Sequence, residues 1–150
     1  MLNDQQKAEY LDRLWEITKA CYSGVELPTR EDFNRLVKTG DVWVYWFTTP
    51  NQPLTSIKGY ALAQRDYVGG TPLLISIAVL EEHRKRGAGG LLLTTMENEY
   101  RAMGIRSILL HCKADNPAQV LYFKTGYRVT AVLRDYYRPE GNGLEMRKIL

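Results

Sequence analysis

Ser76-Ile77-Ala78-Val79-Leu80-Glu81-Glu82-His83-Arg84-Lys85-Arg86-Gly87-Ala88-Gly89-Gly90-Leu91-Leu92-Leu93 is the stretch on which the fold of this chain turns. It begins as a run of apolar and β-branched residues, the pattern of a buried strand. It then becomes basic and glycine-rich, and Leu91-Leu92-Leu93 continues through Met96 and Tyr100 as a helix closed near Gly104. A strand, a tight glycine loop and a helix start together form an anion site. The first N–H groups of a helix have no internal partners, and the helix dipole adds partial positive charge at that end. Gly87, Gly89 and Gly90 carry no side chains, so a phosphate can come close to the backbone. Arg84, Lys85 and Arg86 set full positive charges beside it.

Working outward, Gly69-Gly70 turns the chain into a strand over 71–80, preceded by a strand over 57–65 and another over 42–48, with a turn at Pro50-Asn51-Gln52-Pro53. This is an antiparallel meander feeding the glycine loop. Upstream lie two helices. The first is capped at Asn3 or Asp4 and striped by Tyr10, Leu11, Leu14, Trp15, Ile17 and Thr18; the second runs from Thr29-Arg30-Glu31-Asp32 to Gly40. Trp15 and Tyr22 read as core residues. Downstream of the loop helix, Ile105 to Lys113 reads as a strand, and the strand–helix–strand order implies a right-handed crossover with parallel pairing. Asn116-Pro117 starts a short helix ended by Gly126, and strands over 127–133 and 144–150 close the chain. No repeat or interdomain linker interrupts it, so residues 1–150 are expected to form one α/β domain.

At 150 residues the chain can bury roughly two-thirds of its unfolded surface. A net charge of +3 suits a polyanionic cofactor and gives little support to nucleic-acid binding. Cys21 and Cys112 sit in apolar patterns, which points to a reducing compartment. No basic–apolar signal peptide and no apolar run near the ~20 residues of a membrane span is visible, so a cytoplasmic protein without membrane contact is expected. No cluster has metal-ligand spacing, and no metal is expected.

Spacing discriminates among phosphate loops. There is no G-x-x-x-x-G-K-[ST], and the third glycine of a G-x-G-x-x-G series begun at Gly87 is replaced by Leu92. What stands here is R-x-x-G-x-G, Arg84 to Gly89, directly after a strand. This resembles the acyl-CoA pyrophosphate loop of the GNAT superfamily of N-acetyltransferases, and the order of elements is similar over nearly the whole chain. The resemblance implies the GNAT fold, a mixed and mostly antiparallel sheet with a splayed parallel strand pair flanked by helices. Family members usually open with a strand before the first helix; here only Met1 to Asn3 precede it, so that strand is expected to be short or absent.

The resemblance also implies a chemistry. Acetyl-CoA would be the co-substrate, its pantetheine lying in the splay against backbone groups of Ile77, Ala78 and Val79. Its pyrophosphate would lie on Arg84, Lys85, Arg86, Gly87, Ala88, Gly89 and Gly90, and an exposed N–H near Val79 would polarise the thioester. Leu121-Tyr122-Phe123-Lys124-Thr125-Gly126-Tyr127 matches the family's L-Y-x-x-x-G-[FY] signature, which makes Tyr122 the expected general acid at the cofactor. Strand alternation puts Ile108, Leu110 and Cys112 on one face and Leu109, His111 and Lys113 on the other. Against the RimI-like and N-terminal acetyltransferase branch, His111 falls where a catalytic glutamate or histidine stands, and an imidazole near ~6.5 suits an α-amino group near ~8. Asn116 matches the family's cofactor-side asparagine but lies six residues before Tyr122, where the family has seven. Either that connection is one residue short, or the register shifts, Asp115 takes the place and His111 turns away. Tyr136-Tyr137 and Leu27-Pro28 resemble the substrate-binding loops of the same branch.

The expected activity is therefore acetyl transfer to a primary amine by direct attack in a ternary complex, with a peptide N-terminus or a small amine (polyamine, antibiotic or metabolite) as acceptor. A non-catalytic acyl-CoA-binding regulatory module is the alternative. A homodimer is compatible with either.

Overall fold

A computed structural model describes residues 2–46 and 53–150. The expected turn at Pro50-Asn51-Gln52 and the end of the first strand, Phe47-Thr48, lie outside the described residues. Helix α1 (Asp4–Cys21) begins at a capping box in which Asn3 and Gln6 exchange side-chain and backbone hydrogen bonds. It buries Leu14, Ile17 and Thr18. A 3-10 turn (Gly24–Glu26) leads to α2 (Arg30–Thr39), which Thr29 caps by accepting from the Asp32 N–H. Strand β1 (Asp41–Trp46), β2 (Ile57–Val68) and β3 (Thr71–Val79) form the antiparallel meander, β2 running three residues beyond its expected end. Then come α3 (Ala88–Ala102), β4 (Ser107–Lys113), α4 (Gln119–Lys124), β5 (Arg128–Leu133) and β6 (Gly143–Ile149).

The six strands form one sheet in the order β1-β2-β3-β4-β6-β5, with β3 and β4 as its parallel pair. Helices α1 and α2 pack one face through Leu14, Ile17, Phe33, Tyr60, Leu62 and Ala78. Helix α3, joined by Tyr122 of α4, packs the other through Leu93, Met96, Ile108, Leu110 and Cys112. The expected alternation of β4 holds, since Ile108, Leu110 and Cys112 share the α3 face.

The sheet opens because of one extra residue. Ala63 pairs with Leu74 but Leu62 pairs with Ser76, so β3 carries Ile75 as a bulge against β2. A bulge bends its strand and reverses the alternation beyond it. Leu74 accordingly faces the α3 cluster, while four residues on Ala78 faces the α1–α2 cluster and Ile77 and Val79 take the α3 side. Strand β4 pairs with β3 only at Leu73–Leu109 and Leu74–Leu110. Past that point the two strands diverge, and among the described residues no strand pairs with the β4 side of β3 from Ile77 to Val79.

The short helix starts later than its sequence suggests. Asn116 accepts from the Ala118 N–H, and Pro117-Ala118 forms a turn before α4 proper. The end of α4 explains the motif spacing. Gly126, at φ +103°, is left-handed, and the Tyr127 N–H returns to the Tyr122 carbonyl at 2.9 Å. That helix stop fixes Tyr122 and the buried Tyr127 in edge-to-face contact at 6.0 Å.

The loop between β5 and β6 is strapped across the sheet to the interhelical turn. Glu140 accepts from the Val25 N–H at 2.8 Å and from Lys113 Nζ at 3.0 Å. These two bonds hold its carboxyl below the usual carboxylate range. Gly24 makes the turn at φ +59°, with the Glu140 carboxylate where a Cβ would lie. Gly24→Ala should therefore cost about 1–2 kcal/mol for the left-handed backbone. The check is a lower denaturant midpoint at unchanged m-value; an unmoved midpoint would refute this account of the turn.

Candidate active site

Two clefts meet beneath the splayed strands. The larger, about 720 Å³, runs from the open edge of β3 to the start of α3. Its floor there is the expected loop: Arg84, Lys85, Gly87, Ala88, Gly89 and Gly90 all line it. Lys85 and Gly87 both have left-handed backbones, at φ 59° and 81°, which bends the loop around the helix end. Such a conformation is uncommon for lysine. Gly87 caps α3 without any side-chain bond, and the first α3 N–H to find a helical carbonyl is that of Leu91, bonded to Gly87 O at 2.9 Å. The preceding helix N–H groups therefore remain for an anion, in a helix long enough to carry a dipole. No Cβ contact would fill the space at Gly87 or Gly90, whereas at Gly89 a Cβ would meet Leu121 at 3.0 Å. The residues present thus fit a pyrophosphate. Arg86 is exposed and outside the cleft lining, so two of the three expected cations border it. Arg84 folds back, its Nε donating to the Val79 carbonyl at 2.7 Å.

Of the three residues expected to offer backbone groups at the open edge, two do so. Ile77, Ala78 and Val79 all line the larger cleft. The Leu80 N–H bonds to Lys58 O in β2, so alternation turns the backbone groups of Ala78 toward β2 and those of Ile77 and Val79 toward the opening. Tyr22, expected in the core, stands at this edge. Its hydroxyl donates to the Ile77 carbonyl at 2.7 Å and accepts from the Ile77 N–H at 3.2 Å. Burial pushes its pKa up, which keeps the hydroxyl a donor. Behind it, Ser76, Tyr60 and Thr18 continue a file of hydroxyls that ends on the Leu14 carbonyl. Its position just past α1, in a run of apolar residues, gave no signal of this; only the bulge at Ile75 brings Ile77 under it.

The smaller cleft, about 240 Å³, lies on the α1–α2 side and holds Pro28, His111, Tyr136 and Tyr137. Val25 and Glu26 also line it. Leu27 lines neither cleft, because it follows the 3-10 turn as its C-terminal cap and the side chains on either side of it take the inward places. Strand β4 pairs with β6 without a register shift from Ser107 to Lys113, and His111 faces this cleft. Its Nδ1 lies 3.2 Å from the Tyr136 hydroxyl, and its ring packs edge-to-face on Tyr67 and Tyr136. Tyr67, at the far end of β2, lies outside the cleft lining and supports the His111 ring from beside it, a contact that no motif marked.

Tyr122, Asn116, Glu26 and Tyr22 line both clefts and so surround their junction. Asp115 reaches only the larger one. Tyr122 is 7% exposed, and burial, the largest cause, pushes its pKa well above the ordinary phenol value. A phenol held neutral in this way can give a proton to an anion that forms beside it. Glu26, in the 3-10 turn between the first two helices, has its carboxyl pushed up by burial against the opposing pull of Lys113. Among the described residues no group of three His, Cys, Asp or Glu side chains could hold a metal, and no helix is long and apolar enough to cross a membrane.

Comparison with known proteins agrees with this geometry. The model of the acetyltransferase (GNAT) family matches residues 11–127. An uncharacterized N-acetyltransferase of Methanocaldococcus jannaschii is 31% identical over 83% of each chain. The [ribosomal protein bS18]-alanine N-acetyltransferase of Haemophilus influenzae is 29% identical over 59% of this chain and 60% of its own. Among solved structures, a chain of the NatC complex bound to Gag peptide and CoA superposes with a TM-score of 0.82 at 15% identity, over 100% of this chain and 96% of that one.

Acetyl-CoA should bind and raise the melting temperature, since a ligand at a hundred times its Kd adds about 2.7 kcal/mol. Gly87→Val forces a β-branched residue into a left-handed position at the loop, and the thermal shift should largely vanish. An undiminished shift in that variant would overturn the assignment of the loop.

Proposed function

The chain belongs to the acetyltransferase (GNAT) family, and from that premise we propose that its acceptor is the α-amino group of a protein or peptide N-terminus. It is an acyltransferase that uses acetyl-CoA to acetylate an amine. The observation that carries the acceptor proposal is the junction of the two clefts. The smaller cleft is below the roughly 300 to 1,000 Å³ of a pocket that buries a drug-sized ligand. Its size suits an acceptor that inserts one end and leaves the rest outside. Pro28, Tyr136 and Tyr137 border it, and the Glu140 strap holds their two loops together. The bS18-alanine and peptide-bound relatives are in keeping with such an acceptor.

In the proposed mechanism acetyl-CoA supplies an activated acyl group whose leaving group is a thiolate. The open edge of β3 and the start of α3 receive the cofactor's amide and phosphate groups. His111 takes a proton from the acceptor ammonium, so that the free amine attacks the thioester carbon. Tyr122 gives its proton to the thiolate and regains one from the nitrogen of the collapsing adduct. Two protons thus leave the nitrogen, one ending on the thiol and one passing through His111 to solvent. The neutral Tyr122 phenol suits its part, because a group already ionised could not donate.

The acceptor class is read from thiol release with three sets of amines: peptides beginning with Ala, Ser, Met or Leu, the same peptides blocked at the N-terminus but carrying lysine, and polyamines. Free N-termini should be the fastest acceptors. Faster turnover of blocked peptides or polyamines would refute the N-terminal assignment.

Substitutions at two residues test the roles. Tyr122→Phe should lower kcat on the order of a hundredfold while acetyl-CoA binding changes little. Unchanged turnover would leave Tyr122 a core residue. His111→Gln should give a much slower enzyme, and His111→Glu should recover part of the rate by restoring a proton acceptor. A His111→Gln enzyme as fast as wild type would make His111 structural.

A further inference from the structure

The antiparallel pairing of β4 with β6 sets His111 directly opposite Glu145. His111 Nε2 lies 3.4 Å from Glu145 Oε2. This nitrogen is buried and makes no hydrogen bond within the protein, so the carboxylate is the polar group it meets. The other carboxylate oxygen, Oε1, accepts from Thr130 Oγ1 of β5 at 3.0 Å, which fixes the rotation of the Glu145 side chain. On the far side of the ring, Nδ1 meets the Tyr136 hydroxyl at 3.2 Å. His111 and Tyr136 line the acceptor cleft; Glu145 stands behind them, outside it. The groups that face the imidazole are thus Glu145 from β6, Tyr136 from the β5–β6 loop and Tyr67 from β2.

We infer that Glu145 is a positioning residue that holds His111 in its Nε2-protonated tautomer and leaves Nδ1 to collect the acceptor's proton through the Tyr136 hydroxyl. The inference rests on the reading of His111 as the proton acceptor. A neutral imidazole carries one N–H and one lone pair. A lone pair at the buried Nε2 would face the partly buried Glu145 carboxylate, where repulsion is less screened than in water. An N–H there is attracted instead, so the proton sits on Nε2 and the lone pair on Nδ1. Nδ1 can then only accept, and the Tyr136 hydroxyl must donate to it. The Tyr136 oxygen keeps lone pairs for the ammonium in the cleft. As the ammonium proton moves to this oxygen, the hydroxyl's own proton moves to Nδ1, and Tyr136 ends neutral. The imidazolium that forms lies against the Glu145 carboxylate, which stabilises it, and it later loses its proton to solvent.

Long-range proton–nitrogen correlation of the 15N-labelled protein at alkaline pH reads the tautomer directly. The chain has two histidines, His83 and His111, so His111→Gln assigns the signals. The wild type should show the Nε2–H pattern at His111, and Glu145→Gln should convert it to a mixture of tautomers. In the same variant kcat on an alanine-first peptide should fall at least about tenfold with KM within twofold, and Glu145→Asp should recover part of it. An Nδ1–H pattern in the wild type overturns the inference, as does a Glu145→Gln protein with wild-type turnover. If His111→Gln is slow while the wild type shows Nδ1–H, His111 remains the proton acceptor and only the role of Glu145 fails. A fully active His111→Gln enzyme sinks both.

Discussion

The unpaired edge of β3 is the constraint on which the rest depends. Backbone N–H and C=O groups in a sheet interior are normally consumed by the neighbouring strand, and leaving them open is costly unless something else satisfies them. One inserted residue, Ile75, bends β3 away from β4 after two paired positions and creates such an edge in the middle of the sheet. The structure meets the cost with side chains. Tyr22 takes both backbone groups of Ile77, and Arg84 takes the Val79 carbonyl. Under the proposed function an extended, amide-bearing cofactor acts as the missing strand along this edge and takes over such contacts. The same bulge turns Ile77 and Val79 toward the α3 core while Ser76 joins the hydroxyl file beneath α1.

Placement of the anion loop follows from the same geometry. A parallel pair needs a crossover helix, and the helix that crosses from β3 to β4 necessarily begins at the end of β3 where the sheet opens. Its N–H groups therefore sit at one end of the splay, so a single extended molecule can bond the strand edge along its length and the helix at its phosphates. Arg84 and Lys85 add full positive charge at the same end of the cleft.

Across the junction, the smaller cleft is assembled from parts distant in sequence. Glu140 ties the β5–β6 loop to the Val25 amide and to Lys113 at the end of β4, which sets the spacing between Pro28 and the tyrosine pair. Burial at the junction works in one direction on Tyr122 and Glu26, favouring their neutral forms. Under the proposed mechanism a neutral phenol on the cofactor side and a histidine on the acceptor side divide the proton traffic between them.

The sequence by itself determined the elements and the loop. Glycine and cap positions such as Asn3, Thr29, Gly40 and Gly126 stop or start helices by local backbone physics, and R-x-x-G-x-G after a strand needs no tertiary context to be read. Alternation along β4 was legible too, because Ser107 to Lys113 pairs with β6 without a shift, which left His111 on the cleft face. What only the tertiary structure decided lies where that periodicity breaks or where partners come from far along the chain. Ile75 looks like any strand residue until its β2 partners are known, so the bulge, and with it the place of Tyr22, was invisible. Glu145 meets His111 only because β6 returns beside β4 in one register, and Glu140 meets Val25 only across the closed domain. Arg86 and Leu27 carry the right residue types for their motifs, but left-handed Lys85 and Gly87 and the 3-10 turn at Gly24–Glu26 set the local chain direction, and both side chains lie outside the clefts. Local sequence fixes a residue's backbone preference; which groups its side chain meets is settled by the packing of segments it cannot see.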